Sequence, residues 1–371
     1  MNHAIRIIIS GGGTGGHIFP AISIANAIKE QHPGTEILFV GAEGRMEMQR
    51  VPDAGYEIIG LPIAGFDRKR LWRNFSVLFR LLKSQRKARR IIKEFRPQVV
   101  VGVGGYASAP VLKAAQMMKI PTLIQEQNSY AGVTNKLLAK RANKICVAYA
   151  GMEKFFPSDR IILTGNPVRQ GLLGHHIDRD EALHMYGFDP SKKTVLILGG
   201  SLGARSINQC LMNQMELIRS ATEVQFIWQT GKIYHEQVVA AVEKVGTISN
   251  LYITDFIKDM ATAYVVADLI VSRAGAGSIS EFCLLQKPVI LVPSPNVAED
   301  HQTKNAMALV NKQAAIYVRD SEVNETLLSM VIKVVHDKEI LNKLHVNIAT
   351  LALSDSANII AKEVFKLVMN N

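Results

Sequence analysis

The feature that most constrains this chain is its glycine-rich turn, residues 11–17, which reads Gly-Gly-Gly-Thr-Gly-Gly-His. The apolar run at 5–9 predicts a strand before the turn, and the pattern at 20–28 predicts a helix after it, with Pro20 in the first helical turn. Glycines let a backbone approach a ligand closely, and a helix N-terminus attracts anionic groups. The turn therefore indicates a site for a nucleotide or a sugar phosphate, although the G-x-G-x-x-G spacing also occurs in purely structural turns.

His17 closes this turn with an ionisable side chain. An imidazole has an unperturbed pKa of about 6.5, so it can exchange a proton near neutral pH. The plain dinucleotide-binding fingerprint has no such residue. His17 is therefore the first candidate for acid–base chemistry.

Strand-like and helix-like segments alternate along both halves of the chain. Strands are predicted at 5–9, 36–40, 99–103, 122–125 and 144–148, and again at 194–198, 225–229, 251–254, 267–272 and 289–292. This alternation favours parallel sheets covered on both faces, and 371 residues suffice for two domains. We therefore predict an α/β fold with two Rossmann-like, doubly wound parallel-sheet domains. Ligands of such sheets bind at the carboxyl ends of the strands, and a cleft is expected between the domains.

The cysteines and the hydropathy pattern indicate the compartment. Cys146, Cys210 and Cys283 lie far apart without a C-x-x-C spacing, which is typical of free thiols in a reducing compartment. No apolar run approaches the roughly 20 residues that span a bilayer, and no signal peptide is recognisable. A soluble cytoplasmic protein is expected.

Positive charge is concentrated in one segment. Between Asp67 and Arg96 there are twelve Lys or Arg residues and two acids, so this segment carries +10 of the net charge of +11. Apolar residues at 71, 75, 78, 82, 92 and 95 fall on one predicted helical face. Such a helix is attracted to an anionic membrane surface; a domain helix with a solvated basic face and a nucleic-acid contact are the alternatives. The residues expected at the membrane are Trp72, Phe75, Phe79, Arg80, Lys83 and Lys87.

Polar residues follow several predicted strands, where such sheets bind ligands. Tyr106 and the run Glu126-Gln127-Asn128 do so in the first half. In the second half, the small-residue stretches at 199–205 and 272–281 could cradle phosphates, and 300–302 could reach a sugar hydroxyl. Glu281 could accept hydrogen bonds from ribose hydroxyls or only face the helix dipole. No cluster has the spacing of metal ligands, so no metal and no cofactor are expected.

These stretches together resemble the bacterial MurG family, and they run through most of the chain in order. They are GGGTGGHIFPA (11–21), GVGGYASAP (102–110), EQN (126–128), GNPVR (165–169), GGSLGAR (199–205), DFIKDM (255–260), RAGAGSISE (273–281) and DHQTKNA (300–306). Each stretch alone is a modest signal, but the combination of GGTGGH, RAGAGSISE and HQTKNA is specific.

The resemblance implies the GT-B architecture and an inverting transfer of N-acetylglucosamine. The donor is UDP-GlcNAc, and the acceptor is the carbon-4 hydroxyl of the MurNAc unit of lipid I, which gives lipid II for peptidoglycan synthesis. Residues 1–166 are expected to bind the acceptor and the inner face of the cell membrane, and the helix at about 354–371 to pack back on them. Residues 167–353 are expected to bind the donor.

The resemblance also assigns site residues by position. Phe256 and Ile257 are expected at the uracil, and Glu281 at the ribose. The other residues assigned to the donor are Ser201, Ala276, Gly277 and Ser278 along the diphosphate, with Asn128, Arg169 and Gln302 completing the site. Those assigned to the acceptor are His17, Tyr106 and Gln127. Thr14, Gly15 and Gly16 are counted with the donor site and are also expected to face the acceptor pyrophosphate.

His17 is the expected catalytic base for the acceptor hydroxyl; orientation of the acceptor pyrophosphate is its alternative role. One position departs from the family, because Leu202 stands where many relatives carry glutamine. Three other functions remain open at this point. They are a UDP-sugar transferase with another lipid acceptor such as diacylglycerol, an NAD-dependent Rossmann oxidoreductase, and a membrane-surface binding protein without enzymatic activity.

Overall fold

The computed structural model describes residues 4–63, 74–168, 170–172, 177–200 and 202–370, and of residues 74–78, 170 and 298 it describes the backbone only. The chain forms two compact units. The first comprises Met1–Arg169 with Leu353–Asn371, and the second comprises Gln170–Ala352.

Strands and helices alternate through both units. The strands are β1 (Arg6–Ser10), β2 (Glu36–Ala42), β3 (Glu57–Leu61), β4 (Val99–Gly102), β5 (Thr122–Glu126), β6 (Lys144–Val147), β7 (Ile161–Leu163), β8 (Lys193–Leu198), β9 (Val224–Gln229), β10 (Leu251–Thr254), β11 (Leu269–Ser272), β12 (Val289–Leu291) and β13 (Ile316–Tyr317). The helices are α1 (Gly15–Gln31), α2 (Glu47–Asp53), α3 (Asn74–Phe95), α4 (Ser108–Met117), α5 (Val133–Ala139), α6 (Arg179–Met185), α7 (Arg205–Asn213), α8 (Met215–Ser220), α9 (His235–Val245), α10 (Met260–Val266), α11 (Ala276–Leu284), α12 (His301–Val310), α13 (Val323–His336), α14 (Lys338–Ala349) and α15 (Ser356–Met369). Short 3₁₀ helices lie at Met152–Lys154, Ser158–Arg160, Gln170–Leu172, Ala298–Asp300 and Asp320–Glu322.

The first unit is a parallel sheet with helices on both faces. Its strand order is β3-β2-β1-β4-β5-β6-β7, and Ile8 of β1 lies between Leu38 and Val100. Since neighbouring side chains of a strand point to opposite faces, Ile8 packs in one core with α3, α4 and α5. Ile7 and Ile9 pack in the other core with α1 and α15. Burial on both faces explains the three consecutive isoleucines, residues 7–9, at the centre of β1.

The second unit repeats this plan. Its parallel strands are ordered β10-β9-β8-β11-β12-β13, so its first strand again lies at the centre and the order reverses on either side. Val195 and Ile197 of β8 pack with Phe226 and Trp228 of β9 and with α7 and α13. In both units the carboxyl end of the first strand lies at the position where doubly wound sheets bind ligands.

The predicted fold class of two Rossmann-like, doubly wound parallel sheets is confirmed. All ten predicted strands form, with ends within two residues of those expected. β3, β7 and β13 were not predicted, and all three lie at sheet edges. β7 has three residues and β13 has two, so neither produces a recognisable apolar run.

The prediction that Pro20 lies in the first turn of α1 is wrong. The helix begins at Gly15, because the carbonyl oxygen of Thr14 accepts hydrogen bonds from the N–H groups of His17 and Ile18. Pro20 therefore lies inside the helix, where it lacks the N–H that would bond to Gly16. Burial of neighbouring apolar side chains against the sheet compensates for that loss. His17 is consequently the third residue of α1 and is not part of the preceding loop.

On the predicted apolar face of α3, Ile92 is buried and Leu82 is 55% exposed. The helix also buries Ser84, Ala88 and Ile91, and the small side chains of Ser84 and Ala88 allow close packing against α4. Trp72 lies outside the described residues, and so does the side chain of Phe75. Among the described residues, no helix combines the length and the apolar character that crossing a bilayer requires.

Candidate functional site

His17 is oriented by the backbone of the glycine turn. Its Nδ1 lies 3.1 Å from the carbonyl oxygen of Gly12 and 3.3 Å from Oγ1 of Thr14. A carbonyl oxygen can only accept, so the Gly12 contact places a proton on Nδ1. The neutral ring then has its lone pair on Nε2, and Nε2 is the atom that can take a proton from a substrate.

The loop after β4 presses against this turn. The imidazole atoms Cδ2 and Nε2 lie 2.9 Å from the position that a Cβ on Gly104 would occupy. Gly105 has a φ of +83°, and a Cβ there would collide with the carbonyl oxygen of Gly12. Only glycine at 105 therefore permits this close approach. Tyr106, which follows directly, is exposed.

Gln127 belongs to a buried chain of amides. Its side-chain amide donates to the carbonyl oxygen of Val103 at 2.6 Å and to Oε1 of Gln125. Gln125 in turn donates to Asn166 at 2.9 Å, and Asn166 donates to the carbonyl oxygen of Gln127 at 3.0 Å. The donors of Gln127 thus hold the ends of β4 and β5 together, and a contact with the acceptor stays a prediction.

Glu126 shapes the loop that carries Asn128. One carboxylate oxygen accepts from the backbone N–H and the side-chain amide of Asn128, at 3.1 and 3.3 Å. The other accepts from the N–H of Gly132 at 3.1 Å and from Asn135 at 2.9 Å. Burial of the carboxyl group raises the pKa of Glu126 above its ordinary value, and the four donors oppose that shift. Asn128, half-buried, is thereby fixed at the end of β5.

Glu47 is a site residue that the sequence analysis missed. Its side chain is 1% exposed and lies against the glycine turn. One carboxylate oxygen accepts the N–H of Gly13 at 2.9 Å, and the other accepts the N–H of Ala42 at 3.0 Å. No motif connects Glu47 with the turn. The available signal was an acid that opens a helix shortly after the strand adjacent to β1.

The second unit places Glu281 on α11, which begins where β11 ends. Ala276, Gly277 and Ser278 form the first turn of this helix and are half-buried. The carboxylate of Glu281 is 6% exposed, and its Oε2 accepts a hydrogen bond from the hydroxyl of Tyr264 at 2.7 Å. Tyr264, on α10, was also missed by the sequence analysis, because an apolar helix face gives no sign that one tyrosine hydroxyl contacts a distant acid.

Gln302 and the uracil candidates follow two different strands of the same unit. Oε1 of Gln302, on α12, accepts the N–H of Ser294 at 2.8 Å and so fixes the loop after β12. Phe256 and Ile257 lie in the segment that joins β10 to α10, the helix that carries Tyr264. Phe256 is exposed and Ile257 is buried.

Arg273 holds the start of the loop between β11 and α11. Its guanidinium forms an ion pair with Asp320, donates to Oγ of Ser206 at 2.9 Å and donates to the carbonyl oxygen of Val292 at 3.0 Å. Three elements of the second unit are thereby tied to the end of β11.

The structure thus gathers the predicted residues at two sets of strand ends. In the first unit these are Thr14, Gly15, Gly16, His17, Tyr106, Gln127 and Asn128, at the carboxyl ends of β1, β4 and β5. In the second unit they are Phe256, Ile257, Ala276, Gly277, Ser278, Glu281 and Gln302, after β10, β11 and β12. Arg169 and Ser201 lie outside the described residues. Within the residues that are described, no group of three His, Cys, Asp or Glu side chains could hold a metal ion.

Known proteins resemble the chain over its whole length. The model of the glycosyltransferase family 28 N-terminal domain matches residues 7–147, and that of the C-terminal domain matches residues 194–359. A protein of Bacteroides fragilis is 70% identical over 99% of this chain and 97% of its own. One of Flavobacterium psychrophilum is 51% identical over 98% of each chain. Both are named UDP-N-acetylglucosamine--N-acetylmuramyl-(pentapeptide) pyrophosphoryl-undecaprenol N-acetylglucosamine transferase.

The solved structures agree with this result. The crystal structure of MurG from Acinetobacter baumannii superposes with a TM-score of 0.79 at 27% identity, covering 98% of this chain and 99% of that one. The resemblance that the motifs indicated, and the glycosyltransferase fold class that it implied, are confirmed. The chain therefore belongs to the MurG family of glycosyltransferases.

Proposed function

We propose that this chain transfers N-acetylglucosamine from UDP-GlcNAc to the carbon-4 hydroxyl of the MurNAc unit of lipid I, with inversion at the transferred carbon. The observation that carries the proposal is the 70% identity, over nearly the whole chain, to a relative named as that transferase. An NAD-dependent oxidoreductase is excluded by the family, and a purely binding role is disfavoured by it.

The donor binds in the second unit in this proposal. The N-terminus of α11 supplies backbone N–H groups and a favourable dipole for the diphosphate. Glu281 accepts hydrogen bonds from the ribose, and Tyr264 holds its carboxylate in place. Phe256 and Ile257 flank the uracil, and Gln302 contacts the sugar. Asn128, Arg169 and Ser201 complete the donor site by their positions in the family motifs.

The chemical step needs a base for the acceptor hydroxyl and stabilisation for the departing UDP. His17 accepts the hydroxyl proton at Nε2 while the acceptor oxygen attacks the anomeric carbon from the face opposite UDP. The bond between that carbon and the UDP oxygen breaks, and its electron pair leaves with UDP. The backbone N–H groups and the dipole at the start of α11 stabilise the resulting charge. No cofactor takes part in this scheme.

The membrane contact lies on α3 in this proposal. The side chain of Phe79 is 69% exposed, and Leu82 is exposed on the same helix between the bases Arg80 and Lys83. Each Lys or Arg near an anionic lipid surface contributes about 1 kcal/mol to binding. Lys87 forms an ion pair with Glu43 at 3.0 Å and so contributes less. The inner face of the cytoplasmic membrane, where the lipid acceptor lies, is the proposed location.

The function is tested by incubating the protein with labelled UDP-GlcNAc and a lipid I analogue. We expect label in the lipid, none in a diacylglycerol acceptor, and no binding of NADH. Transfer to diacylglycerol alone would assign a different acceptor, and absence of transfer to both would contradict the proposal.

The membrane contact is tested with vesicles that contain anionic phosphatidylglycerol. Replacing Phe79 and Leu82 together by serine should reduce cosedimentation with the vesicles. The matched control is Met185→Ser, which removes an equally exposed apolar side chain from the second unit and should leave binding unchanged. Equal binding by the wild type, the double variant and Met185→Ser would show that Phe79 and Leu82 do not contact the membrane.

A further inference from the structure

A single peptide group lies between the carboxylate of Glu47 and the imidazole of His17. The peptide that joins Gly12 to Gly13 donates its N–H to Oε2 of Glu47 at 2.9 Å. The carbonyl of the same peptide accepts from Nδ1 of His17 at 3.1 Å. Within the described residues no peptide bond is cis, so the N–H and the C=O of this peptide point in opposite directions. The carboxylate and the imidazole therefore bond to opposite sides of one polarisable group.

The packing around the carboxylate keeps this geometry fixed. The second oxygen of Glu47 accepts the N–H of Ala42 at 3.0 Å, which anchors the carboxylate to the end of β2. The carboxylate also touches the α-carbon side of Gly12, where a Cβ would overlap it. The side chain is almost fully buried, so solvent screens its charge little. The carboxylate of Glu47 is thus held rigidly against the Gly12–Gly13 peptide, on the side away from the imidazole.

The helix dipole works against proton uptake by a base at position 17. His17 is the third residue of α1, and the partial positive charge of a helix N-terminus disfavours a protonated imidazole. The first turn of α1 contains no acidic residue that would offset this effect. A buried negative charge one peptide away does offset it, since hydrogen bonds in a chain polarise one another.

We propose that Glu47 is a positioning residue for His17, acting through the Gly12–Gly13 peptide. Its carboxylate polarises the peptide, holds the ring proton on Nδ1 and favours the uptake of a proton at Nε2. In Ser-His-Asp enzymes an aspartate bonds directly to Nδ1 of the histidine and has this effect. Here a backbone carbonyl makes the contact, and the carboxylate acts from behind it. This inference rests on the proposed function, in which His17 is the base.

Glu43, Tyr106 and Glu126 are other ionisable groups on the described segments around the turn. Glu43, at the end of β2, forms an ion pair with Lys87 of α3. Tyr106 follows the glycines after β4. Thr14 and Gly104 are neutral groups beside the ring, and Gln127 lies next to Gly104. The carboxylate of Glu126 is engaged by Asn128, Gly132 and Asn135. Glu47 is therefore the acid whose removal should change the protonation of His17 most.

The first test is nuclear magnetic resonance of the wild-type protein with ¹⁵N-labelled histidine, with the signal of His17 assigned by its loss in His17→Gln. We expect the neutral ring to carry its proton on Nδ1. A ring with the proton on Nε2 would overturn the proposal.

The second test compares Glu47→Gln with Glu43→Gln, which removes the same charge between β2 and α2 without touching the turn. In Glu47→Gln we expect the pKa of His17 to fall and the acidic limb of the kcat/KM profile to move to lower pH. The plateau should drop roughly tenfold, less than the about 10²–10⁴-fold loss of a missing base. Glu43→Gln should change neither the His17 resonance nor the acidic limb of the kcat/KM profile.

The outcomes separate this inference from the proposed function. If Glu47→Gln lowers activity without moving the His17 signal or the limb, Glu47 is only structural and the inference fails. If the signal moves but His17→Ala transfers sugar at the wild-type rate, the coupling stands and the role of His17 as base fails. Glu47→Asp, which keeps the charge, should restore part of the shift; no recovery in a folded Glu47→Asp variant would contradict a charge effect.

Discussion

The first six strands of each unit have the same order, but the two units use their buried acids differently. In the first unit, Glu47 lies behind the glycine turn and bonds only to backbone N–H groups in the contacts described above, while His17 occupies the start of the helix. In the second unit, Glu281 itself lies on the helix after the turn, held by the hydroxyl of Tyr264. The same fold thus presents an imidazole in one unit and a carboxylate in the other. The chemistry of each unit is set by the residues on its helix and not by the sheet.

The largest expected effect separates chemistry from donor binding. His17→Ala should lower turnover by about 10²–10⁴-fold, because it removes the general base, and should leave UDP-GlcNAc affinity nearly unchanged. Steady-state kinetics and a binding titration measure the two quantities. His184→Ala, which removes an exposed imidazole from α6 of the second unit, is the control and should change neither quantity. Wild-type turnover in His17→Ala would remove His17 from the chemistry.

The converse result is expected in the second unit. Glu281→Gln should weaken UDP-GlcNAc binding roughly 10–100-fold, because a hydrogen bond to a charged group contributes about 1.5–3 kcal/mol. Turnover at saturating donor should fall less than it does in His17→Ala. If Glu281→Gln lowered turnover and left donor affinity unchanged, the assignment of donor binding to the second unit would be contradicted.

A smaller effect is expected from the tyrosine that holds Glu281. Tyr264→Phe keeps the ring and its edge-on contact with Phe282 but loses the hydroxyl. Donor affinity should fall about fivefold, as for the loss of a hydrogen bond of about 1 kcal/mol. Tyr186→Phe, in the same unit, is the matched control. An unchanged affinity in Tyr264→Phe would show that Glu281 needs no support from this hydroxyl.

The smallest expected effects concern folding stability. With rising pH, one buried group in the first unit should lower the stability, and one in the second unit should raise it. Burial raises the pKa of Glu126 in the first unit and lowers the pKa of Lys287 in the second to about 8. The contribution of Glu126 is present below its ordinary pKa of about 4.3 and is lost as the pH rises through the folded value. That of Lys287 is lost as the pH falls from its ordinary 10.5 through about 8.

Denaturant unfolding at several pH values measures this contrast. Relative to Glu126→Gln, the wild type should lose stability as the pH rises above about 4.3. Relative to Lys287→Met, it should gain stability between about 8 and 10.5. Differences that do not vary with pH would contradict the stated shifts.

Much of the fold could be predicted from the sequence, because buried parallel strands produce long apolar runs separated by glycine turns. The edge strands β3, β7 and β13 were not predicted, and β7 and β13 are too short to show a pattern. The burial of Ser84 and Ala88 on α3 could not be predicted either, because the pattern of large apolar residues does not include them.

The candidate site divides in the same way. His17 and Glu281 were recognisable because they belong to motifs next to glycine turns. Glu47 and Tyr264 were not, because each acts over a long sequence separation on one peptide or one carboxylate. Such partners become visible only when the chain is folded, since no local spacing connects them with the residue they support.

The central claim, that the second unit holds the nucleotide and the first supplies the base, is tested most directly by a crystal soaked with UDP. The account predicts electron density for the nucleotide at the start of α11, with the ribose beside Glu281. Density for the nucleotide at the glycine turn of residues 11–16 would contradict it.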